Sequence, residues 1–289
     1  MRKKMKSNPY TYFFLLPAAA VYLIFFILPT ILSFFFSMTW WTLTDWKFIG
    51  LENFKVFLSE PSMNIGFKNT VIYAVVTSGL KVILGLLLGV FLSMRLRSVG
   101  FIRSMVFFPA LLSTIAVGIA FSTLMHPSQG MINAALSFFG VAGPDWLGDT
   151  KIALLSVALV DVWKGVGIAT VIFIAGIMSI PQEYHEALSI DGGNAWHRFR
   201  NITLPLSRPA MNTVIILSFI GGLRTFDLIW TMTKGGPGFS TDIIASIIYK
   251  QYQAGFYGIS TAGNVILFIV VAALAFPLYL YLNRKEVDM

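Results

Sequence analysis

Charged residues are spaced so widely along this chain that six long apolar stretches remain between them. About 20 apolar residues span the ~30 Å hydrocarbon core of a bilayer as an α-helix. The pattern therefore predicts an all-α integral membrane protein with six transmembrane helices. No long polar linker and no internal repeat interrupts it, so residues 1–289 are predicted to form a single membrane domain. The predicted spans cover about residues 13–36, 70–92, 105–125, 152–179, 211–231 and 262–282.

The composition agrees with a membrane protein and excludes one class of chemistry. Hydrophobic residues make up 56% of the chain and charged residues only 12%, against roughly 25% charged residues in soluble domains. A net charge of +8 would suggest nucleic-acid binding in a soluble protein, but Lys- and Arg-rich cytoplasmic loops give a membrane protein the same sign. We therefore expect membrane lipid and no nucleic acid as a partner. The absence of cysteine excludes disulfide and thiolate chemistry.

The N-terminal basic residues are followed by an apolar run that passes Ala18-Ala19-Ala20 and continues to Phe36. The apolar region of a cleavable signal peptide stops after roughly 7–15 residues, so an uncleaved anchor is predicted. With the N-terminus inside, 12 Lys and Arg residues lie in inside loops and 6 in outside loops, which favours two cytoplasmic termini. The inside set is Arg2, Lys3, Lys4, Lys6, Arg95, Arg97, Arg103, Arg198, Arg200, Arg208, Arg284 and Lys285; the outside set is Lys47, Lys55, Lys68, Lys151, Lys234 and Lys250.

Five charged residues fall within the predicted spans, where a charge is costly and usually lines a cavity or has a partner. Asp161 with Lys164, and Arg224 with Asp227, have the i,i+3 spacing that allows pairing along one helix. Each pair is either part of a polar solute pathway or a structural pair near a helix end. Lys81 stands alone in the second span and is predicted to face another helix or a backbone carbonyl.

Aromatic and amide side chains near these charges suit a hydroxylated solute. Trp163, Trp230 and Asn264 could contact sugar rings, although Trp near the end of a span is more often an interfacial anchor. The three histidines (His126, His185 and His197) are scattered over opposite sides of the predicted topology, so no metal site is expected. No nucleophile and base stand out as a catalytic pair, so we do not expect an enzyme.

The loop between the fourth and fifth spans, residues 181–205, has a distinctive pattern. Pro181 suits the first turn of a helix, and Asp191-Gly192-Gly193 breaks that helix because glycine accepts backbone angles that other residues avoid. Asp191 or Asn194 can cap a second short helix over residues 195–201, which Leu204-Pro205 is predicted to end. The pattern indicates a compact helix–turn–helix at the inner face of the membrane.

This loop resembles the EAA loop of importer permeases in the ATP-binding-cassette (ABC) superfamily. The family pattern is Glu-Ala-Ala, then Asp-Gly three residues on, then Ile-x-Leu-Pro after about nine more. Here it reads Glu186-Ala187-Leu188, Asp191-Gly192-Gly193 and Ile202-Thr203-Leu204-Pro205. Leu188 in place of the second Ala leaves the spacing intact but affects how tightly the loop packs.

Other segments extend the resemblance over nearly the whole chain. The runs Phe14-Leu-Leu-Pro17, Phe48-Ile-Gly-Leu-Glu-Asn-Phe54, Arg224-Thr-Phe-Asp-Leu-Ile-Trp230 and Thr233-Lys-Gly-Gly-Pro237 are similar to carbohydrate-importer permeases of the maltose and glycerol-3-phosphate type. The resemblance implies the type I ABC importer permease fold and a carbohydrate as solute. It also places this chain as the first permease of a pair in the plasma membrane of a prokaryote.

The resemblance further implies a division of labour among several chains. A second homologous permease would share the translocation pathway, two cytosolic ATPase subunits would dock on loop 181–205, and an extracellular binding protein would deliver the solute. ATP-Mg would bind to the partner ATPase, and no cofactor to this chain, which lacks a Gly-x-x-x-x-Gly-Lys-Ser/Thr phosphate loop. Alternatives are an importer of an anionic solute, such as glycerol-3-phosphate or an acidic oligosaccharide, a stand-alone secondary transporter or channel, and a membrane scaffold.

Overall fold

The computed structural model describes residues 12–94 and 97–284, and these are mostly helical. Two short strands, β1 (Thr39–Trp41) and β2 (Trp46–Phe48), form an antiparallel hairpin that pairs Thr39 with Phe48. The helices are α1 (Leu16–Ser37), α2 (Glu52–Ser59), α3 (Met63–Leu92), α4 (Val99–Leu111), α5 (Thr114–Leu124), α6 (Met131–Phe138), α7 (Ala153–Met178), α8 (Gln182–Ile190), α9 (Ala195–Leu206), α10 (Arg208–Leu223), α11 (Asp227–Met232), α12 (Ile244–Gln253) and α13 (Tyr257–Asn283).

Four of the six predicted spans are single helices long and apolar enough to cross a membrane: α1, α3, α7 and α13. Each contains most of the stretch predicted from the sequence, and α3 begins seven residues before the predicted Thr70. Helix α1 leaves its apolar side chains exposed, including Phe25 at 75%. Such a surface is suited to lipid, because a helix in a bilayer need not bury its apolar residues in protein.

The predicted third span, 105–125, is not one straight helix. Helices α4 and α5 meet at an angle of 96°, because Leu112 and Ser113 between them have extended backbone angles with ψ of 145° and 130°. Pro109, inside the last turn of α4, lacks the N–H for one helical hydrogen bond. Helices α4 and α5 together make one membrane span only if that span is broken at Leu112 and Ser113.

The predicted fifth span, 211–231, is also corrected by the structure. Helix α10 ends at Leu223, and Arg224, Thr225 and Phe226 separate it from the short helix α11. At the other end, α10 follows α9 at an angle of 64°. Non-helical backbone is tolerated at membrane depth only where it is buried in protein or lines a water-filled cavity, so the break is a candidate position for a site.

By its internal contacts the described chain divides into two compact units, and the prediction of a single membrane domain stays a prediction. The first unit contains residues up to Ser59 together with 250–266. Within it, the Asn53 amide donates to the carbonyls of Ser37 and Thr39 at 2.9 and 2.7 Å. Gly258 lies so close to the Thr39 carbonyl that a Cβ would collide with it. These contacts join the β1–β2 hairpin to α1, α2 and the start of α13.

The second unit, 60–249 with 267–289, is built around α3 and α7. Gly85 and Gly89 of α3 form a Gly-x-x-x-Gly motif that permits close helix approach. A Cβ on Gly85 would lie 2.8 Å from the Ala169 Cβ, and one on Gly89 would lie 2.7 Å from the Phe173 Cβ. These glycines bring the two helices into contact over the C-terminal half of α3, which positions Lys81 next to α7.

Candidate functional site

The break between α10 and α11 opens onto a cavity of about 430 Å³ in the second unit. Four of the six predicted pathway residues (Asp161, Lys164, Arg224 and Asp227) line it, and so does Lys81. We refer to it as the charged cavity. Its full lining is Lys81, Thr114, Asp161, Lys164, Gly165, Ile168, Arg224, Thr225, Phe226, Asp227 and Leu228.

An ion pair between two helices lies at the wall of this cavity. Lys81 Nζ on α3 donates to Asp161 Oδ2 on α7 at 2.8 Å, and the two side chains are only 11% and 19% exposed. Lys81 therefore faces another helix, as predicted. The pairing of Asp161 with Lys164 that their spacing allows does not form among the described residues, because Lys81 binds the Asp161 carboxylate from α3.

The second pairing that the spacing allows, Arg224 with Asp227, is likewise absent among the described residues. The i,i+3 spacing brings two side chains together only on a continuous helix. Arg224 instead follows the end of α10 and Asp227 begins α11. Both residues are exposed toward the cavity, and Lys164 beside them is half-buried. None of these three side chains has a hydrogen bond or salt bridge to another residue in the described part of the chain.

A buried phenol adjoins the ion pair and was missed by the sequence analysis. Tyr73 is fully buried on α3, and its hydroxyl lies near Asp161 and Thr225. The hydroxyl makes no hydrogen bond of good geometry within the described residues. Tyr73 precedes Lys81 by eight residues, so the two lie on one face of the helix. That spacing was the available signal.

Aromatic rings pack next to the break. Phe226 lines the cavity, and Trp230, a predicted pathway residue, stacks on it with ring centroids 5.8 Å apart. Tyr249 closes the cluster at 5.0 Å from Phe226 and 4.7 Å from Trp230. Trp230 thus supports the ring that faces the cavity. Asn264, the sixth candidate, is an exposed residue of α13 within the first unit.

The 181–205 loop has the predicted helix–turn–helix form. Helix α8 carries Glu186 and Ala187 on exposed positions, and the Gln182 amide donates to Glu186 Oε1 at 2.8 Å. Asp191 follows the end of α8, and Asn194 caps α9 by accepting from the His197 backbone N–H at 3.0 Å. Glu186 is therefore held at the surface by its own helix.

Backbone conformation explains the first glycine of the turn, and lack of space for a side chain explains the second. Gly192 has φ of +74°, a left-handed conformation that side chains disfavour. Gly193 donates from its N–H to the Leu188 carbonyl at 2.8 Å, and a Cβ there would collide with the Leu188 side chain. Leu188, the departure from the family pattern, is half-buried over this glycine.

The end of the second helix was predicted wrongly. Leu204 and Pro205 do not terminate α9, which continues to Leu206 through a widened π turn at Phe199–Thr203. Pro205 follows that turn directly, and its missing N–H leaves one helical hydrogen bond unmade. Behind the loop, a cavity of about 620 Å³ is lined by His185, Glu186 and Arg198 together with the ends of α3 and α7.

Comparison with known proteins identifies the family of this chain. Residues 81–287 match the family of the binding-protein-dependent transport system inner membrane component. The chain belongs to this family. The match starts at Lys81 of the ion pair and includes the charged cavity and the 181–205 loop.

Curated relatives resemble the chain over almost its entire length. The trehalose/maltose transport system permease protein MalF of Thermococcus litoralis is 34% identical over 99% of this chain and 97% of the relative. The multiple sugar-binding transport system permease protein MsmF of Streptococcus mutans is 28% identical over 98% of each.

Solved structures share the fold. A crystal structure of a bacterial ABC transporter involved in the import of the acidic polysaccharide alginate superposes with a TM-score of 0.82 at 23% identity, covering 94% of both chains. The chain therefore has the type I ABC importer permease fold, and the helical membrane architecture predicted from the sequence is confirmed.

Proposed function

We propose that this chain is a permease subunit of an ATP-driven, binding-protein-dependent importer of a carbohydrate. The observation that carries the proposal is the charged cavity, which gathers predicted pathway residues at a broken helix. Discontinuous helices line solute sites in many transporters, because their freed backbone groups and end dipoles can face the solute. The sugar-transport permeases to which the chain is related over nearly its full length support a carbohydrate as solute.

The remaining subunits follow from the same proposal. A second permease completes the pathway, and two cytosolic ATPases dock on the 181–205 loop through Glu186 and Ala187. An extracellular binding protein delivers the solute, which agrees with the related alginate transporter solved with a periplasmic protein bound to an alginate pentasaccharide. Both termini are then cytoplasmic in a prokaryotic plasma membrane; Arg2, Lys3, Lys4, Lys6, Arg95 and Lys285, used in that prediction, lie outside the described residues.

Purification from native membranes tests the assembly. The chain is tagged at its C-terminus, extracted gently, and its stoichiometric partners are identified by mass spectrometry. We expect a second permease and an ATPase. Recovery of the chain alone, under conditions in which a known ABC importer stays intact, would instead favour the stand-alone secondary transporter.

The solute pathway is tested by uptake measurements. Arg224→Gln and Asp227→Asn should raise the KM for uptake in the assembled importer by about tenfold each, the scale of one lost charge-assisted hydrogen bond. Lys234→Gln, an exposed residue beyond α11, provides the control with unchanged KM. Unchanged uptake in both cavity variants would contradict the assignment of the pathway to this cavity.

A further inference from the structure

The charged cavity has an unequal set of charges. Lys81, Lys164 and Arg224 contribute three cations, whereas Asp161 and Asp227 contribute two carboxylates. The charged cavity therefore carries one net positive charge. A charge that is half-buried among membrane helices and lacks a partner is costly, and such residues mark ion and solute pathways.

The position of Lys81 decides which cation lacks a partner. Asp161 is three residues before Lys164 on α7 and would be its natural partner, but its carboxylate is occupied by Lys81 at 2.8 Å. Gly165 makes this possible, since a Cβ there would lie 2.6 Å from Lys81 Cε. The missing side chain leaves a path across α7 for the Lys81 stem to reach Asp161.

We infer that Lys81 determines the solute's charge: by occupying Asp161, it leaves Lys164 and Arg224 to receive an anionic group on a saccharide. This inference rests on the proposed function and specifies the substrate as an acidic saccharide carrying a carboxylate or phosphate. A neutral sugar accepts hydrogen bonds from both cations but does not offset their charge. An anionic oxygen group does both, and its charge-assisted hydrogen bonds are roughly twice as strong.

The potential of the cavity can be measured without knowing the solute. Because the chain has no cysteine, Ile168→Cys introduces a single thiol at a lining position that is 49% exposed. In the purified complex, this thiol is treated with the anionic sulfonatoethyl and the cationic trimethylammonioethyl methanethiosulfonate. Intact-mass spectrometry of this chain gives the rate at which each reagent modifies the thiol. Each rate is divided by the rate of the same reagent with 2-mercaptoethanol in solution, which corrects for the intrinsic reactivity of the reagent.

Two single variants move the net charge of the cavity in opposite directions, and a double variant leaves it unchanged. We expect the corrected ratio of anionic to cationic rates to be about ten in the Ile168→Cys background, at the lower end of electrostatic focusing in clefts. Lys81→Met should bring the ratio to about one, and Asp161→Asn should raise it several-fold further. The double variant Lys81→Met/Asp161→Asn should keep the original ratio, because it removes the ion pair without changing the net charge.

These outcomes separate an electrostatic role from a structural one. If Lys81 only held α3 against α7, Lys81→Met and Asp161→Asn would disturb the cavity alike instead of moving the ratio oppositely. Lys68→Met, on an exposed position of the same helix, is the matched control and should leave the ratio unchanged. A starting ratio near or below one, or a ratio that Lys81→Met leaves unchanged, overturns the inference. Should Lys81→Met fail to fold, Asp161→Asn and the double variant still decide it.

The same thiol tests the class of saccharide. Trigalacturonate and its methyl ester have the same size and linkage and differ only in charge, and glucose 6-phosphate represents sugar phosphates. Each is added at millimolar concentration before an uncharged thiol reagent. Protection by trigalacturonate but not by its ester supports a carboxylate ligand, and protection by glucose 6-phosphate alone supports a phosphate ligand. Equal protection by acid and ester, or protection by no probe, contradicts the inference.

The thiol measurements do not depend on transport. A complex that contains a second permease and an ATPase but has an uncharged cavity refutes the acidic substrate and leaves the importer intact. A positively charged cavity in a chain that purifies alone refutes the importer instead.

Discussion

The hydrogen bonds that shape the 181–205 loop join residues within the loop, whereas the charged cavity is assembled from helices far apart along the chain. Gln182 bonds to Glu186, Asn194 caps the next helix and Leu188 covers Gly193. In the cavity, Lys81 reaches Asp161 across 80 residues. A site built from local contacts can be recognised from a short motif. A site built from distant ones depends on how the helices pack.

The two regions should therefore respond differently to substitution. The loop lies at the surface, and changing its exposed residues should disturb docking with little effect on folding. The cavity shares residues with the packing of α3 on α7, so substitutions there should affect stability as well as transport.

The largest effect is expected for Glu186→Lys. Replacing an exposed acid by a base at a docking surface introduces repulsion worth several kcal/mol, so uptake should fall by about 100-fold or more while membrane insertion is retained. ATP-dependent uptake in vesicles and detergent-solubilised yield are the two measurements. Glu52→Lys, at an exposed position of α2, is the control and should behave as wild type. Normal uptake in Glu186→Lys would contradict the docking role.

The next largest effect is expected for the loss of stability when the Lys81–Asp161 ion pair of the cavity is broken. Asp161→Asn leaves Lys81 buried without its partner, which should lower the free energy of unfolding by about 3 kcal/mol. Removing both charges in Lys81→Met/Asp161→Asn should restore most of that loss, because no unpaired charge remains. Thermal unfolding of the purified chain measures both. Equal destabilisation by the single and double variants would mean that shape, not charge, governs this contact.

The predictability of the two regions differs for the same physical reason. The helix–turn–helix followed from Asp191, the glycines and Asn194, whose effects extend over a few residues. The partner of Lys81 could not be identified from the sequence. Asp161 had a possible partner three residues away, Lys164, and only the packing of the helices decides between Lys164 and Lys81. The break at Leu112–Ser113 was also missed, since uninterrupted hydropathy does not reveal a change of backbone direction. The break at Arg224–Phe226 was missed because the charges of Arg224 and Asp227 were placed within a continuous helix.

A smaller effect tests the packing that supports the cavity. Gly85→Ala would place a Cβ 2.8 Å from the Ala169 Cβ and should cost about 1–2 kcal/mol by forcing α3 away from α7. Gly79→Ala on the same helix has nothing within 4 Å and should be neutral or slightly stabilising, since alanine favours a helix. Thermal unfolding of both variants checks this. Equal effects at the two positions would show that the close approach at Gly85 is unimportant.

The smallest effect concerns the departure of the loop from its family pattern. Gly193→Ala would bring a Cβ into collision with the Leu188 side chain, which should distort the turn, weaken ATPase docking and lower uptake about three- to fivefold, equivalent to roughly 1 kcal/mol. Leu188→Ala restores the Ala of the family pattern and removes the obstacle, so Leu188→Ala/Gly193→Ala should regain most of the uptake. Leu188→Ala alone provides the matched control and should transport nearly as well as wild type, because its side chain is only half-buried. Failure of the double variant to recover would mean that Gly193 is required for its own backbone and not for the space it leaves to Leu188.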